Sequence, residues 1–331
     1  MEPDRFVACY RELAPRKELR DYVRALFTFG PAQEQGPAGR LVTREILFKA
    51  GDPFCSPVIA DGNGSLVIDL GMTCGVNGVW QYRDCDLHAA VMGGMTGVGE
   101  NPGAYRPAMI GVYFSPARLS SVMHVPACEL TDRIVSLEDL WATGSSEFLS
   151  EIAELDHASR IDRFEVALLH RIRNWRDRAT SVNVPHLAWH VLRLRGRVSV
   201  ETLADAAGVS RQHLTRVFRE QGGLSPKLYC RLARFQAGLR YVVPGCHVEW
   251  AQAAVQLGYA DQSHMIADFR EFSSATPDQL IAERWFHPFI ERAKTAAPAT
   301  TPPSNTQRRP LAIPPDIRAP RLHFMLISSP A

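Results

Sequence analysis

Ala204–Pro226 reads ADAAGVSRQHLTRVFREQGGLSP, and Ala254–Pro277 reads AVQLGYADQSHMIADFREFSSATP. The two stretches repeat one pattern. Ala204 matches Ala254 and Gly208 matches Gly258. After one inserted residue, His213 matches His264, and Phe218-Arg219-Glu220 matches Phe269-Arg270-Glu271. Each stretch predicts a short helix, a glycine turn and a second helix, an arrangement that lays the second helix in a DNA major groove.

In the first unit Ser199 is suited to cap a helix carrying Leu203, Ala204 and Ala207. Gly208 supplies a left-handed turn residue, and Ser210 caps the next helix through its side-chain oxygen. Helical spacing turns Leu214, Val217 and Phe218 inward and leaves Arg211, Gln212, Thr215, Arg216 and Arg219 outside. Such side chains read base edges and grip phosphates. A merely solvated polar face gives the same pattern in one unit. Duplication with helix-forming residues from Leu228 to Val242 between the units favours DNA binding. A helix of that length spans roughly 20 Å at about 1.5 Å per residue, enough to hold two recognition helices about one DNA turn apart. Pro244-Gly245 ends the run.

The chain has 331 residues, 46% hydrophobic and 22% charged, with a formal charge of +2, so it is long enough for two domains and its overall charge says nothing about nucleic acid. Its 7 cysteines are scattered without CxxC pairs, which suits reduced thiols rather than a disulfide framework. The charged start MEPDRFVACYRELAPRKELR does not read as a signal peptide, and no run is long and apolar enough to span a bilayer. A cytoplasmic protein with no membrane partner is expected.

Residues 1–115 read as β-rich: Leu66–Leu70 and Ile110–Phe114 are candidate strands, with turn signals at Asp61-Gly62-Asn63-Gly64 and Asn101-Pro102-Gly103. Pro15–Val23 reads as a helical turn. Residues 116–180 read as helical, with Phe148, Ile152 and Leu155, then Phe164, Ala167, Leu168, Arg171 and Ile172, at amphipathic spacing. Thr180-Ser181-Val182-Asn183 reads as a linker, and Pro185 suits the first turn of the helix that follows. Prolines punctuate residues 292–331, which predicts a disordered tail; a weak electrostatic anchor is the alternative for Arg308-Arg309. The expected fold class is α+β: a β-rich N-terminal sensor or dimerisation domain with helices over 1–180, then an all-α double helix-turn-helix domain over 183–290.

From about Pro185 to Phe286 the chain resembles the AraC/XylS family of bacterial transcription regulators. The residues that carry the likeness are Leu203-Ala204 before Gly208-Val209-Ser210, then Leu214–Arg219, Leu224-Ser225-Pro226, and Arg231–Phe235. In the second half they are Gly258–His264 running into Asp268-Phe269-Arg270 and Thr276-Pro277. The resemblance implies two subdomains joined by a rigid helix, contacting successive major-groove segments of double-stranded promoter DNA. By family position, base contacts fall on Gln212, Thr215 and Arg216, and on Gln262, Ser263, Ile266 and Ala267. With Arg211, Arg219 and Arg270, these are the candidate DNA-binding residues. The family also implies RNA polymerase as a partner and activation as the commoner mode. One departure is Ser274, which stands where the family has a glycine and where the first unit has Gly223; a serine there carries a cost if φ is positive.

The units differ in charge. Arg193, Arg195, Arg197, Arg211, Arg216, Arg219, Lys227, Arg231, Arg234 and Arg240 face only Glu201, Asp205 and Glu220 in the first. In the second, Glu249, Asp261, Asp268, Glu271, Asp278 and Glu283 outnumber Arg270 and Arg284. Phosphate neutralisation therefore assigns most binding energy to the first unit and discrimination, or contact with another protein, to the second. Arg231, Arg234 and Arg240 on the connecting helix are either phosphate contacts or a solvated face.

The N-terminal part shows no catalytic signature. His88, His124, His157 and His170 lack metal-ligand spacing, and Cys74, Cys85 and His88 read as isolated groups rather than a metal or redox centre. Gly93–Gly99 lacks GxGxxG and a P-loop lysine, so a flexible hairpin is the better reading, and no G-x-S-x-G is present. Trp80, Tyr82, Tyr105, Tyr113 and Trp141 suit an apolar pocket or a packed core. The phrases PRKELRDYV, GSLVIDLG, IGVYFSP and ELTDRIVSLEDLW resemble a less characterised AraC-type subgroup. No cofactor, metal or enzymatic activity is expected; a small-molecule effector and a homodimer paired through the helices of 116–180 are. The rival classes are an enzyme, or a protein-interaction module, fused to a DNA-binding part.

Overall fold

A computed structural model describes residues 6–32, 41–49, 60, 62–74, 80–82, 87–96, 107–141, 144–174, 182–242 and 248–282. Eight strands form one antiparallel sheet: β1 (Phe6–Leu13), β2 (Val23–Pro31), β3 (Val42–Lys49), β4 (Ser65–Cys74), β5 (Trp80–Tyr82), β6 (His88–Met92), β7 (Pro107–Phe114) and β8 (Ile134–Ser136). Their order is β3-β1-β2-β7-β4-β6-β8, with β5 beside β4. The expected strands lie in β4 and β7, which pair with Leu66 opposite Val112 and Ile68 opposite Ile110. The alternation of the pleat sends these four inward to one face.

Four helices cover that face: α1 (Leu119–Met123), α2 (Leu137–Trp141), α3 (Ser145–Glu154) and α4 (His157–Asn174). Phe148 and Ile152 of α3 and Phe164 and Leu168 of α4 share its core with Leu66, Ile68, Ile110, Val112 and Phe114. Leu155 ends α3 rather than continuing its stripe. Ala8, Phe29 and Phe48 form a smaller cluster on the other face.

Three local expectations change. Only Lys17–Leu19 of the Pro15–Val23 stretch is helical, as a 3-10 turn, and Val23 already opens β2. The turn is fixed from outside: Arg16 donates from its backbone N–H (2.8 Å) and its Nε (2.9 Å) to the fully buried Glu165 of α4. Second, β8 interrupts the helical stretch, because Ile134 and Val135 complete the sheet edge beside Met92 and Val91. Third, Gly93–Thr96 is tied down rather than a flexible hairpin. The Gly93 N–H donates to the Arg133 carbonyl (3.0 Å), and Thr96 donates from backbone (2.6 Å) and hydroxyl (2.7 Å) to the Asp132 carboxylate. A Cβ at Gly93 would lie 1.7 Å from the Leu130 carbonyl oxygen, so glycine is required by close backbone approach. Residues 97–99 lie outside the described residues.

The helical part comprises α5 (Val184–Arg193), α6 (Val200–Ala207), α7 (Arg211–Gly222), α8 (Pro226–Gly238), α9 (Trp250–Leu257), α10 (Gln262–Ser273) and α11 (Pro277–Ala282), with a 3-10 turn at Leu239–Tyr241 after α8. Leu214, Val217 and Phe218 of α7, Tyr229, Leu232 and Phe235 of α8, and Met265, Phe269 and Phe272 of α10 are all buried in one core. The expected linker is partly structural: Val182 is buried in that core, and the Asn183 side chain caps α5 by accepting from the His186 N–H (3.1 Å). Pro185 stands in the first turn of α5. Pro244-Gly245 and the tail after 282 lie outside the described residues. Among the described residues no helix is long and apolar enough to cross a membrane.

Ser274 ends α10 at φ 57° and ψ 12°, the left-handed conformation that Gly208 (φ 66°) and Gly258 (φ 80°) adopt freely, at the place where the first unit has Gly223, also of positive φ (83°). Ser274→Gly is therefore expected to stabilise the protein by about 0.5–1 kcal/mol, read as a rise in urea midpoint. A second expectation concerns His186 and His190, whose Nε2 atoms lie 2.9 Å apart on α5. Burial holds both below their ordinary value, His190 down to about 4 with help from His186 and Arg193. The folded state thus keeps them neutral while the unfolded chain protonates them at about 6.5, so their contribution is full above that pH and lost on acidification toward 4. The urea midpoint should fall between about pH 7 and about pH 5, and His190→Gln should flatten that fall.

Candidate nucleic-acid interface

Each helix of the first unit is closed by local chemistry. The Ser199 hydroxyl accepts from the Thr202 N–H (3.0 Å) to start α6, and Gly208 ends it in the left-handed conformation. The Ser210 hydroxyl accepts from the His213 N–H (3.2 Å) to start α7. With Leu214, Val217 and Phe218 buried, Arg211, Gln212, Arg216 and Arg219 are left exposed and Thr215 half-buried. The Thr215 hydroxyl donates to the Arg211 carbonyl (2.8 Å), which commits its proton within the helix and leaves its oxygen as an acceptor and its methyl as an apolar group. A methyl suits the methyl of thymine.

Arg211, Arg216 and Arg219 line an open cleft of about 1040 Å³ together with Gln212 and Thr215. Lys227 and Arg234 of α8 also line it, as do Glu201 and Glu220. Lys227 was not among the expected site residues; the helix start at Ser225-Pro226 is the signal that places it there. Arg211 pairs with Glu201 (2.5 Å) and Arg216 with Glu220 (2.8 Å), all four side chains being well exposed. Exposed pairs contribute roughly 0.2–1 kcal/mol each, so exchanging a carboxylate for a phosphate costs little.

The second unit repeats the frame with different chemistry. The Asp261 carboxylate accepts from the His264 N–H (2.8 Å) and pairs with the His264 ring (3.0 Å), which holds its carboxyl below the ordinary range. Asp261 stands where Ser210 stands, and the inserted residue lies in the turn before it. Gln262, Ser263, Ala267 and Arg270 are exposed and Ile266 is half-buried.

Arg231 and Arg234 of α8 make contacts within the fold that the sequence reading did not include. Arg231 is bound to Asp268 and Glu271 of α10. Arg234 donates to the Gly196 carbonyl (3.1 Å) and lies over the Tyr259 ring at 5.2 Å. Arg240 follows α8 in the 3-10 turn, half-buried, and burial lowers the pKa of its guanidinium. Arg231 thus ties α8 to α10, and Arg234 ties α8 to the Gly196 backbone while also lining the cleft beside α7. Carboxylates of the second unit are likewise engaged by neighbours: Asp268 and Glu271 by Arg231, Asp261 in a cap, and Asp278 by the Trp250 indole N–H (2.7 Å).

The first unit is also seated on the N-terminal part. The Ser120 hydroxyl donates to the Gln221 carbonyl (3.3 Å), and the Thr131 hydroxyl donates to the Gly223 carbonyl (3.0 Å). Both acceptors belong to the C-terminal end of α7, where helix carbonyls lack partners of their own. Tyr229 donates to the Asn63 side chain (3.3 Å), and Gln236 donates to the Ala60 carbonyl. Ala60 and Ala117 are buried in the helical core rather than in the core of the sheet.

For an effector the described residues offer less. Tyr113 stacks on Phe27 at 4.4 Å, and Trp141 packs against Phe148 at 5.6 Å. Tyr105 and the side chains of Trp80 and Tyr82 lie outside the described residues. Among the described residues, no three or more His, Cys, Asp or Glu are grouped to hold a metal ion.

Residues 203–283 match a family model described as a helix-turn-helix domain, and residues 11–136 match a domain of unknown function (DUF6597). The uncharacterized HTH-type transcriptional regulator YbfI of Bacillus subtilis (strain 168) is 35% identical over 68 residues, covering 20% of this chain and 24% of that protein. The chain thus matches about a quarter of that relative's length. The crystal structure of ToxT from Vibrio cholerae O395 overlaps 70% of this chain and 93% of its own at 10% identity and a TM-score of 0.35. A fatty-acid-bound ToxT from strain SCE256 overlaps 69% and 89% at 12% identity and a TM-score of 0.34. Overlaps at these scores carry no conclusion about fold or ligand.

A matched pair of glycines isolates the seating of the first unit. Both Gly208 and Gly223 have positive φ, but a Cβ at Gly208 meets open space, whereas at Gly223 it lies 2.8 Å from the Thr131 hydroxyl. Gly208→Ala should cost about 1 kcal/mol of backbone strain, and Gly223→Ala should cost about 1–2 kcal/mol more by displacing Thr131. Urea unfolding of the two variants checks the difference.

Proposed function

We propose that the chain, whose residues 203–283 match a helix-turn-helix domain model, is a sequence-specific DNA-binding transcription regulator of the AraC type. The observation that carries the reading is the repeated frame of α6–α7 and α9–α10. Both units end their first helix at a left-handed glycine, Gly208 or Gly258, and both start the second with a side-chain cap, Ser210 or Asp261. Both then expose the positions that would enter a major groove. Arg211, Gln212, Thr215, Arg216 and Arg219 read and grip in the first unit; Gln262, Ser263, Ile266, Ala267 and Arg270 do so in the second.

Residues 183–290 form the DNA-binding domain in this reading, and residues 1–180 form a domain that senses an effector or pairs two copies. Coupling between them runs through Ser120, Thr131 and Asn63, since these side chains hold α7 and α8. An effector that favours one placement of the sheet domain then shifts the population of DNA-competent molecules. Contact with RNA polymerase, a cytoplasmic location and the absence of enzymatic activity belong to the same proposal.

Charge supports an unequal division of labour. The first unit presents exposed Arg211, Arg216, Arg219 and Lys227, whereas α10 presents Arg270 alone of its exposed arginines and lysines. Genome-wide occupancy of the tagged protein should show sharp promoter peaks that collapse in Arg216→Ala. The double variant Gln262→Ala/Ser263→Ala should keep more of the affinity and change which sequences are preferred. Diffuse occupancy insensitive to Arg216 would contradict the regulator reading, and equal weakening by both variants would contradict the unequal division.

A further inference from the structure

Asp268 lies on the second recognition helix, yet its side chain is 8% exposed and does not face the surface that would meet DNA. It is held by Arg231 of α8, whose Nε (3.0 Å) and Nη2 (2.6 Å) both donate to Asp268 Oδ1. The same guanidinium donates from Nη1 (3.1 Å) and Nη2 to the two carboxylate oxygens of Glu271, and it lies 5.1 Å from the centre of the Phe272 ring. Four of the five guanidinium N–H donors are thus engaged, which leaves little to offer a phosphate.

Beside it, α8 and α10 pack through apolar contacts, with Phe235 5.0 Å from Phe269 and 5.4 Å from Phe272. Apolar packing is non-directional and tolerates small slides and rotations. A planar fork on two carboxylates a turn apart does not, because its hydrogen bonds fix both direction and distance. On the opposite side, α7 is fixed to the start of α8 by Phe218 against Tyr229 (5.5 Å) and by the short connection through Gly223, Leu224 and Ser225. The two recognition helices therefore take their relative placement from α8, and Arg231 is the directional element on the α10 side.

We infer that Arg231 is a positioning residue that sets the phase between the two recognition helices, and with it the spacing between the two DNA half-sites that the chain accepts. This rests on the reading of the chain as a DNA-binding regulator. It also explains why the second unit carries carboxylates on a helix meant for DNA: Asp268 and Glu271 are the other half of the fork.

The test uses the full chain and an operator selected by the wild type from random-sequence DNA. Affinity is measured on that operator and on versions with one base pair added or removed between the half-sites, for the wild type, Arg231→Lys and Arg231→Ala. One base pair rotates the second site by about 34–36°, so the wild type should lose about tenfold or more in affinity at either altered spacing. Arg231→Lys keeps the charge without the fork and should hold all three spacings within about threefold of one another, with an unchanged salt slope. Thermal melting of each variant identifies any loss of folding, and Arg231→Lys carries the comparison if Arg231→Ala does not fold. Variants that weaken binding but keep the wild-type spacing profile would overturn the inference, leaving Arg231 a stabilising residue only. A salt slope in Arg231→Ala lower by about 0.9, with the profile unchanged, would overturn it in favour of a phosphate contact. Failure of the wild type to select any operator would remove the regulator reading itself, and this inference with it.

Discussion

Helix α8 packed between the two helix-turn-helix units is the constraint on which the DNA-facing surface depends. Tyr229 meets Phe218 of α7, and Phe235, fully buried, meets Phe269 and Phe272 of α10. Large aromatic side chains of this kind dominate core energetics. Neither α7 nor α10 is long enough to be stable alone in water, so each owes its helical state to this shared core as well as to its cap. The exposed rows on both helices are a by-product of burying the opposite rows. The same core takes in Ala60 and Ala117, which flank strands β4 and β7 of the N-terminal part.

Charge is distributed according to that architecture rather than by unit. Arginines whose stems lie along α8 are drawn into the packing: Arg231 onto two carboxylates, Arg234 onto the Gly196 carbonyl and the Tyr259 ring. Arginines on the outer row of α7 have only exposed partners, Glu201 and Glu220, and remain exchangeable. A count of basic and acidic residues along the chain therefore overstates both the positive field of the first unit and the negative field of the second. What survives the correction is the contrast between the outer rows, with Arg211, Arg216 and Arg219 on one and Arg270 on the other.

Features set by neighbours in the chain were legible from the residues alone. The caps at Ser199 and Ser210, the left-handed Gly208 and the first-turn Pro185 all follow from local backbone chemistry. So did the strands around Leu66–Leu70 and Ile110–Phe114, where a short apolar run allows few alternatives. Features set by distant residues were not. The pairing of Arg231 with Asp268 and Glu271 spans some forty positions, and nothing in the spacing marks it. The capping role of Asn183 was hidden inside a polar stretch, and β8 was hidden because Ile134-Val135-Ser136 is too short to show a period. Nothing in the spacing marks Glu165, beside Phe164 in α4, as the buried anchor for Arg16.

The central claim is that two recognition helices enter successive major grooves from one face of the duplex. Protection of guanine N7 from methylation, mapped on a selected operator with the purified full chain, tests it most directly. The account predicts two protected windows on the same face of the DNA, with centres about 10 base pairs apart. A single protected window bound with full affinity, or specific binding with no major-groove protection, would contradict it.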